Sequence, residues 1–368
     1  MKKIIVAAGG TGGHLYPAIA VVENLVSRYG SDIDVLFIGS KDKIEGRVVP
    51  ALGYRFQHLD IEGLRSIFSL STLMLPFKIL SAQSKMSKLM EKERPDVVLC
   101  AGAYVSYPVG MAAYKHSIPL FLLESNVQPG KTNRLLSKKA TKIFTSFPQS
   151  QQYFPSASEK CIVVGNPVRT SFSTKISLED ASAKFGLDPS KKTILVFGGS
   201  LGAKSINTAV EQQLLPLVEE QQFQILWQIG TNYTPPSVLP KGVVALPYIS
   251  EMDIAYSLAT IVVCRAGATS MAELALVKKP AILIPYPYAA HNHQHTNAKT
   301  FADKNAAILL EDSSLQTSFR QTVLGLLTNE QQQNDFAINI AQFATPNAAN
   351  DIVSILSKIV NNNGNQNS

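Results

Sequence analysis

Two stretches of this chain repeat one plan. Near the start, Lys2-Lys3-Ile4-Ile5-Val6-Ala7-Ala8 runs into Gly9-Gly10-Thr11-Gly12-Gly13, and from Lys191 the run Lys-Lys-Thr-Ile-Leu-Val-Phe leads into Gly198-Gly199-Ser200-Leu201-Gly202. Each is an apolar run of strand length, then a glycine-rich turn, then a helix-length amphipathic segment. The two copies lie 189 positions apart, from Gly9 to Gly198, in a chain of 368 residues. That spacing predicts two Rossmann-like domains. Further apolar runs at 34–39, 96–102, 119–125, 142–146 and 160–166 serve the first, and runs at 223–230, 242–249, 260–267 and 280–287 serve the second. They are near-continuous in Val, Ile and Leu, as expected of strands buried on both faces of a parallel sheet. The fold class read from this is α/β, built of βαβ units. The expected domains are 1–165 and 166–345, with a linker and a short helix between Thr170 and Lys192. A last amphipathic helix at 346–360 carries Ile352, Val353, Ile355, Leu356 and Ile359, and a polar tail at 361–368 is expected to be disordered.

Composition narrows the partners. Residues 1–170 hold 21 Lys and Arg against 12 Asp and Glu, whereas 171–368 hold 13 against 15. The whole excess charge of +7 therefore sits in the first half, which favours an anionic partner there: phosphates, nucleic acid or an acidic membrane surface. Nucleic acid is disfavoured, because the basic residues are not interleaved with stacking aromatics on a recognisable module. The cysteines Cys100, Cys161 and Cys264 are odd in number and far apart, which argues against disulfides and for a reducing compartment. The basic N-terminus with its short apolar run reads as a first strand and not a signal peptide, since it ends in a glycine turn. No apolar run reaches the roughly 18 residues of a membrane span.

Several motifs can carry chemistry. The turn Gly9–His14 can bring backbone N–H groups and a helix N-terminus to a diphosphate, or be a plain strand-to-helix turn. It is not a dinucleotide fingerprint, because from Gly10 the last glycine would have to stand at Leu15, and it has no P-loop lysine. Pro17 is placed in the first turn of the following helix. His14, at the mouth of the turn, can act as a general base near neutral pH, or only hydrogen-bond a phosphate or cap the helix. The turn 198–203 has the same physics, with the Ser200 hydroxyl as an extra donor. In Arg265–Glu273, Ser270 and Glu273 have capping-box spacing, and Glu273 can alternatively accept ribose hydroxyls. Arg169, after a strand, can offset diphosphate charge or form a surface ion pair. The alternation His291, His293, His295 follows Pro287 and reads as a loop, not a metal site. Residues 64–80 are unusually apolar and flanked by Arg65, Lys78, Lys85, Lys88 and Lys92. They suit either a core helix or a patch of Ile67, Phe68, Leu75 and Phe77 that dips into a bilayer.

Taken in order, these blocks resemble glycosyltransferase family 28. The similarity comprises GTGGHLYPAIA (10–20), GAYVSYPVG (102–110), ESN with a following TN (124–133), GNPVR (165–169), GGSLGA (198–203), YI..M..AY (248–256), RAGATSMAELA (265–275) and HNHQHTNA (291–298). The resemblance implies a GT-B fold, two Rossmann-like parallel-sheet domains facing across a cleft. It implies transfer of GlcNAc from UDP-GlcNAc, with inversion, to the C4 hydroxyl of the muramoyl sugar of lipid I, forming lipid II and UDP in peptidoglycan synthesis. By the same resemblance, Thr11, Gly12 and Gly13 line a diphosphate loop, and Asn126 and Arg169 match donor-site positions. Ser200 meets the donor phosphates, Ile249 holds the uracil through its backbone, and Ala268, Thr269, Ser270, Met271 and Ala272 hold the nucleotide. Glu273 takes the ribose and Gln294 the GlcNAc hydroxyls. The catalytic base is expected to be His14 first and Glu124 second, with no obligatory cofactor and no metal. The implied partners are UDP-GlcNAc, lipid I, an anionic membrane surface and other cell-wall synthesis proteins. The implied place is the cytoplasmic face of the inner membrane, peripherally bound. The alternatives are another GT-B enzyme, such as a glycolipid glycosyltransferase or a UDP-GlcNAc 2-epimerase, and a non-catalytic nucleotide-sugar binder. Two departures stand out. Gly102-Ala103-Tyr104 replaces the family's usual Gly-Gly-Tyr, tolerable unless Ala103 needs positive φ. Leu123-Glu124-Ser125-Asn126 replaces His-Glu-Gln-Asn, which removes a histidine beside Glu124.

Overall fold

The computed structural model describes residues 3–59, 75–173 and 176–366. The chain divides into two units, one of residues 1–169 and 345–368, the other of residues 170–344.

In the first unit the elements run β1 (Lys3–Ala7), α1 (Gly12–Tyr29), β2 (Asp34–Gly39), α2 (Ile44–Ala51), β3 (Arg55–His58) and α3 (Leu75–Glu93). They continue with β4 (Val97–Cys100), α4 (Ser106–Lys115), β5 (Leu120–Glu124), α5 (Lys131–Leu136), β6 (Lys142–Thr145) and β7 (Cys161–Val163). The strands form a parallel sheet in the order β3-β2-β1-β4-β5-β6-β7. Alternate side chains explain why its strands read as unbroken apolar runs: Ile4 and Val6 face one core, Ile5 and Ala7 the other. The first core takes Leu15, Ile19 and Val22 of α1, and the second takes Met86 and Met90 of α3 with Val109 of α4.

In the second unit α6 (Leu178–Phe185) precedes β8 (Thr193–Phe197), α7 (Lys204–Gln213), β9 (Gln224–Gln228) and β10 (Val243–Leu246). Then come α8 (Met252–Leu258), β11 (Ile261–Arg265), α9 (Ala268–Val277), β12 (Ala281–Ile284) and α10 (His293–Ala302). The unit closes with β13 (Ile308–Leu309), α11 (Leu315–Thr328) and α12 (Glu330–Ala341). Its parallel sheet is ordered β10-β9-β8-β11-β12-β13. The short helix expected between the domains is α6, held at its start by Ser177, whose hydroxyl accepts from Asp180 N at 3.0 Å, and ended by Gly186 at φ +66°.

The last helix, α13 (Ala348–Gln366), returns to the first unit. Ile352, Val353 and Leu356 are fully buried in the core that holds α1. Each such side chain contributes about 1.5–3 kcal/mol, enough to anchor the element. The helix continues to Gln366, past the expected end at 360, so most of the tail expected to be disordered is helical. The apolar stretch 64–80 lies outside the described residues, apart from the course of α3 and the side chains of its last two positions.

Both sheets have the switch point of an open α/β sheet, where the strand order reverses, between β1 and β4 in one and between β8 and β11 in the other. Ligands of such sheets bind beyond the carboxyl ends of the strands at that point. The two glycine turns follow β1 and β8 and therefore stand at those two places.

Candidate active site

In the first unit the turn after β1 meets the turn after β4. Gly10 (φ +82°) and Gly102 (φ +98°) use conformations that only glycine enters readily. Thr11 is extended and starts α1, its carbonyl accepting from His14 N and Leu15 N, both at 3.2 Å. Pro17 therefore falls in the second turn of α1, not the first, because the helix begins as early as Gly12. The helix presents the first-turn amides of Gly12 and Gly13 at its positive end, which suits an anion.

His14 Nδ1 lies 3.2 Å from the carbonyl oxygen of Gly9 and 3.5 Å from Thr11 Oγ1. A carbonyl only accepts, so Nδ1 carries a proton in this contact. A Cβ at Gly102 would stand 2.9 Å from His14 Cδ2 and 3.0 Å from Nε2, so glycine there makes room for the ring. Ala103 sits at φ +60°. The condition set by the sequence is thus met: this alanine occupies a left-handed conformation that costs about 1–2 kcal/mol.

Glu124, at the end of β5, is 3% exposed. Its Oε1 accepts from Asn126 N (3.0 Å) and Asn126 Nδ2 (3.2 Å), and its Oε2 from Gly130 N (3.1 Å) and Asn133 Nδ2 (2.9 Å). Burial pushes its carboxyl upward, and the four donors pull against that. Both oxygens are occupied in shaping the 124–133 loop, which is the work of a brace. Asn126 is gripped by that carboxylate through its backbone and side chain, and its carbonyl accepts from Ser150 Oγ at 3.0 Å. Arg169 belongs to the first unit, and its guanidinium lies 4.6 Å over the ring of Tyr16 on α1. A Cβ at Gly12 would be 3.1 Å from that same ring, so Arg169 is tied to the first glycine turn.

In the second unit the turn 198–202 nests against the end of β9. Gly199 and Gly202 have φ of +92° and +77°, and a Cβ on Gly202 would lie 2.2 Å from the Ile229 carbonyl oxygen. Gln228 joins the parts: its Nε2 donates to the Gly199 carbonyl at 2.9 Å and its Oε1 accepts from Ile249 N at 2.8 Å. The Ile249 N–H is thereby committed, so its carbonyl is the backbone group it can offer a base. Ser200 sits at the tip of the turn, between the two positive-φ glycines.

After β11, helix α9 is capped by Gly267 and already begins at Ala268. Ser270 is its third residue, so the capping box with Glu273 does not form; the glycine starts the helix early. Ala268, Thr269, Ser270, Met271 and Ala272 make up the opening turn, and Glu273 is buried in the second turn, accepting from the Tyr256 hydroxyl at 3.2 Å. Tyr256 is held between Phe172 and Phe197 at 5.8 and 6.0 Å. The histidine run expected as a loop instead enters a helix: α10 begins at His293, after a 3-10 turn at Ala290–Asn292. His293 Nδ1 meets the Ala290 carbonyl at 2.8 Å and His295 Nε2 meets Glu311 at 3.0 Å. Gln294 Oε1 accepts from Tyr286 N at 2.9 Å. Arg265 is fixed by Asp312, by Ser205 Oγ (2.8 Å) and by the Tyr286 ring (5.5 Å).

Sequence reasoning missed Gln228, the Arg265–Asp312 pair and Glu45, and gave Tyr256, which ends the block at 248–256, no role. Gln228 and Glu45 are single polar residues with no motif around them. Their one legible signal was their distance from the glycine turns, which only the fold converts into contact.

Residues 4–145 match the glycosyltransferase family 28 N-terminal domain, and residues 193–352 match the family's C-terminal domain. The chain belongs to glycosyltransferase family 28. It is similar to proteins of Flavobacterium psychrophilum (42% identical, 97% of this chain and 98% of the relative) and Christiangramia forsetii (40%, 98% of each). Both carry the name UDP-N-acetylglucosamine–N-acetylmuramyl-(pentapeptide) pyrophosphoryl-undecaprenol N-acetylglucosamine transferase. Among solved structures, MurG of Acinetobacter baumannii is 30% identical with a TM-score of 0.72, covering 97% of this chain and 100% of that one. MnaA of S. aureus in complex with UDP (14% identical, TM-score 0.69, covering 98% and 97%) shares the fold alone. The family member thus has the GT-B fold class read from its sequence.

Proposed function

We propose that this family 28 enzyme moves GlcNAc from UDP-GlcNAc to the C4 hydroxyl of the muramoyl sugar of a polyprenyl-diphosphate-linked muramoyl pentapeptide, releasing UDP. The observation that carries this is the 40–42% identity to transferases of that name over nearly the whole chain. The donor's diphosphate is assigned to the turn 198–203 with Ser200, its uracil to the Ile249 carbonyl, its nucleoside to 268–273 with Glu273 on the ribose, and its sugar to Gln294. The acceptor's diphosphate is assigned to Thr11, Gly12 and Gly13, where the Arg169 cation over Tyr16 adds positive charge. Asn126 is assigned to substrate contact from its braced loop.

In the reaction, the acceptor oxygen attacks the anomeric carbon while the bond to the UDP oxygen breaks, and the electron pair leaves with UDP. His14 Nε2 takes the acceptor's hydroxyl proton. Glu124, occupied by four donors, acts as the brace of the Asn126 loop and not as the base. The N–H groups and the Ser200 hydroxyl stabilise the departing diphosphate electrostatically, so no metal is called for. Turnover is therefore expected to survive EDTA, and its loss with recovery on adding Mg²⁺ would overturn the metal-free reading. The decisive assay supplies labelled UDP-GlcNAc and a short-chain lipid-linked acceptor and looks for label in the organic phase. Label confined to UDP-ManNAc would indicate a 2-epimerase, and binding without UDP release a mere carrier.

No helix among the described residues is long and apolar enough to cross a membrane. The acceptor is lipid-borne, so the basic first half is assigned to peripheral contact with the anionic cytoplasmic face of the membrane, where other cell-wall synthesis proteins work.

A further inference from the structure

Glu45 is a charged side chain with no exposed surface, and the reaction as outlined gives it no task. It projects from α2 beneath the first glycine turn. Its Oε1 accepts from Gly10 N at 3.1 Å and from Ser40 N at 2.9 Å, and its Oε2 accepts from Gly10 N at 3.0 Å. Two glycines exist around it: a Cβ on Gly9 would fall 2.2 Å from Oε1, and a Cβ on Gly39 would fall 2.4 Å from Cγ. The Gly10 N–H is thus turned inward and is not offered to a phosphate. The same peptide unit has the Gly9 carbonyl as its other end, and a planar trans peptide points its N–H and C=O in opposite directions. Fixing the Gly10 N–H on Glu45 therefore aims the Gly9 carbonyl away from it, and that carbonyl is where His14 Nδ1 sits, at 3.2 Å.

We infer that Glu45 is a positioning residue for the transfer: it holds the Gly9–Gly10 peptide so that the Gly9 carbonyl keeps His14 in the Nδ1–H tautomer, with Nε2 as the basic nitrogen and the ring packed against Gly102. This deepens, and rests on, the reading of His14 as the base. The logic is that of the orienting group behind a catalytic histidine, here relayed through one peptide bond. Glu45 touches no substrate. A carboxylate suits the task because it accepts from two amides at once in a site closed to water.

The test combines nitrogen NMR of ¹⁵N-histidine-labelled protein with kinetics on UDP-GlcNAc and a soluble lipid-linked acceptor. In the wild type, His14 should give the shift pattern of a single Nδ1–H tautomer. In Glu45→Ala that pattern should give way to a mixture or to Nε2–H, and kcat should fall by about 10–100-fold, the scale of a small misplacement of a catalytic group. The KM for UDP-GlcNAc should stay within twofold. Glu45→Gln keeps one acceptor oxygen and should retain the tautomer and most of kcat. Should Glu45→Ala fail to fold, Gly39→Ala displaces the carboxylate from below without removing it and should give the same NMR change and the same loss of kcat. An unchanged His14 tautomer in a folded Glu45→Ala or Gly39→Ala protein overturns the inference. A changed tautomer with undiminished kcat leaves the positioning intact and sinks His14 as the base.

Discussion

Ala103 is the clearest residue-scale departure from the family pattern, and its backbone gives the departure an energy. At φ +60° an alanine bears about 1–2 kcal/mol of left-handed strain. Replacing it with glycine removes that strain but returns about 0.4–1 kcal/mol of chain entropy to the unfolded state. The strain term wins narrowly, so Ala103→Gly should raise the urea midpoint slightly with an unchanged m-value. A lower midpoint would mean the alanine is comfortable where it stands. The position also faces Gly10, whose own Cβ would be 3.6 Å from that of Ala103, so the two turns at the β1–β4 switch share one tight space. A different single-residue argument applies to Gly230, at φ +84°. A Cβ there would meet the Leu201 carbonyl oxygen at 2.4 Å and Gly202 Cα at 2.5 Å. Gly230→Ala must push the 198–202 turn aside, and titration calorimetry with UDP should find affinity reduced at least about tenfold, or about 1.4 kcal/mol. Unaltered UDP affinity would remove this turn from the donor site.

At the scale of elements, strands were the most legible part of the sequence, because burial on both faces leaves an unbroken apolar run. Each of the runs read from the sequence holds a strand, with up to three residues lost from an end. The two strands that escaped notice lie on sheet edges: β3 reads Arg-Phe-Gln-His and is largely exposed, and β13 spans only Ile308–Leu309. An edge position alone does not hide a strand, since β7 and β10 are edges too and carry apolar runs; β3 is polar and β13 is only two residues long. Helix starts were harder to read, since the capping-box spacing at Ser270–Glu273 was outcompeted by Gly267, and the histidine run became a helix through its downstream packing. The candidate site could be read where glycine turns build it, because Gly10, Gly199 and Gly202 take positive φ, and could not be read where a lone side chain braces it. One such brace holds elements together: Glu93 on α3 pairs with Arg55 of β3 and Lys3 of β1, each at 2.9 Å, and Asp34 of β2 joins them. Hydrogen bonds from Arg55 and then Lys3 hold the Glu93 carboxyl below its ordinary 4.5. A depressed carboxylate contributes stability that is present above its unfolded pKa and lost as pH falls through the folded one. Glu93→Gln should thus melt below wild type at neutral pH, and the gap should close as pH drops from about 5 toward 3. A gap that stayed constant would assign the difference to packing alone.

Over the whole molecule, charge is divided as sharply as the fold. The first 170 residues carry 21 basic against 12 acidic side chains, while the remainder has 13 against 15. Two explanations compete for that excess: phosphates of a small substrate, or an extended anionic surface. A diphosphate needs only the glycine turn and a cation such as Arg169, and most of the lysines lie in α3, α5 and the segments around them, elements that supply none of the glycine-turn residues. A lipid-borne acceptor makes the second explanation the stronger one, since each basic residue near an anionic leaflet adds about 1 kcal/mol of attraction within a Debye length. Sedimentation with phosphatidylglycerol vesicles should therefore capture the protein at low ionic strength and release it progressively as salt shortens the screening length from about 30 Å at 0.01 M to about 8 Å at 0.15 M. Neutral phosphatidylcholine vesicles should capture far less. Reversing Lys85, Lys88 and Lys92 to glutamate should lower capture by anionic vesicles while leaving turnover of a water-soluble acceptor near wild type, because α3 supplies no residue to the glycine turns. Equal capture by both lipids at every salt concentration would leave only an apolar contact to explain membrane association, and the charge division would then need another partner.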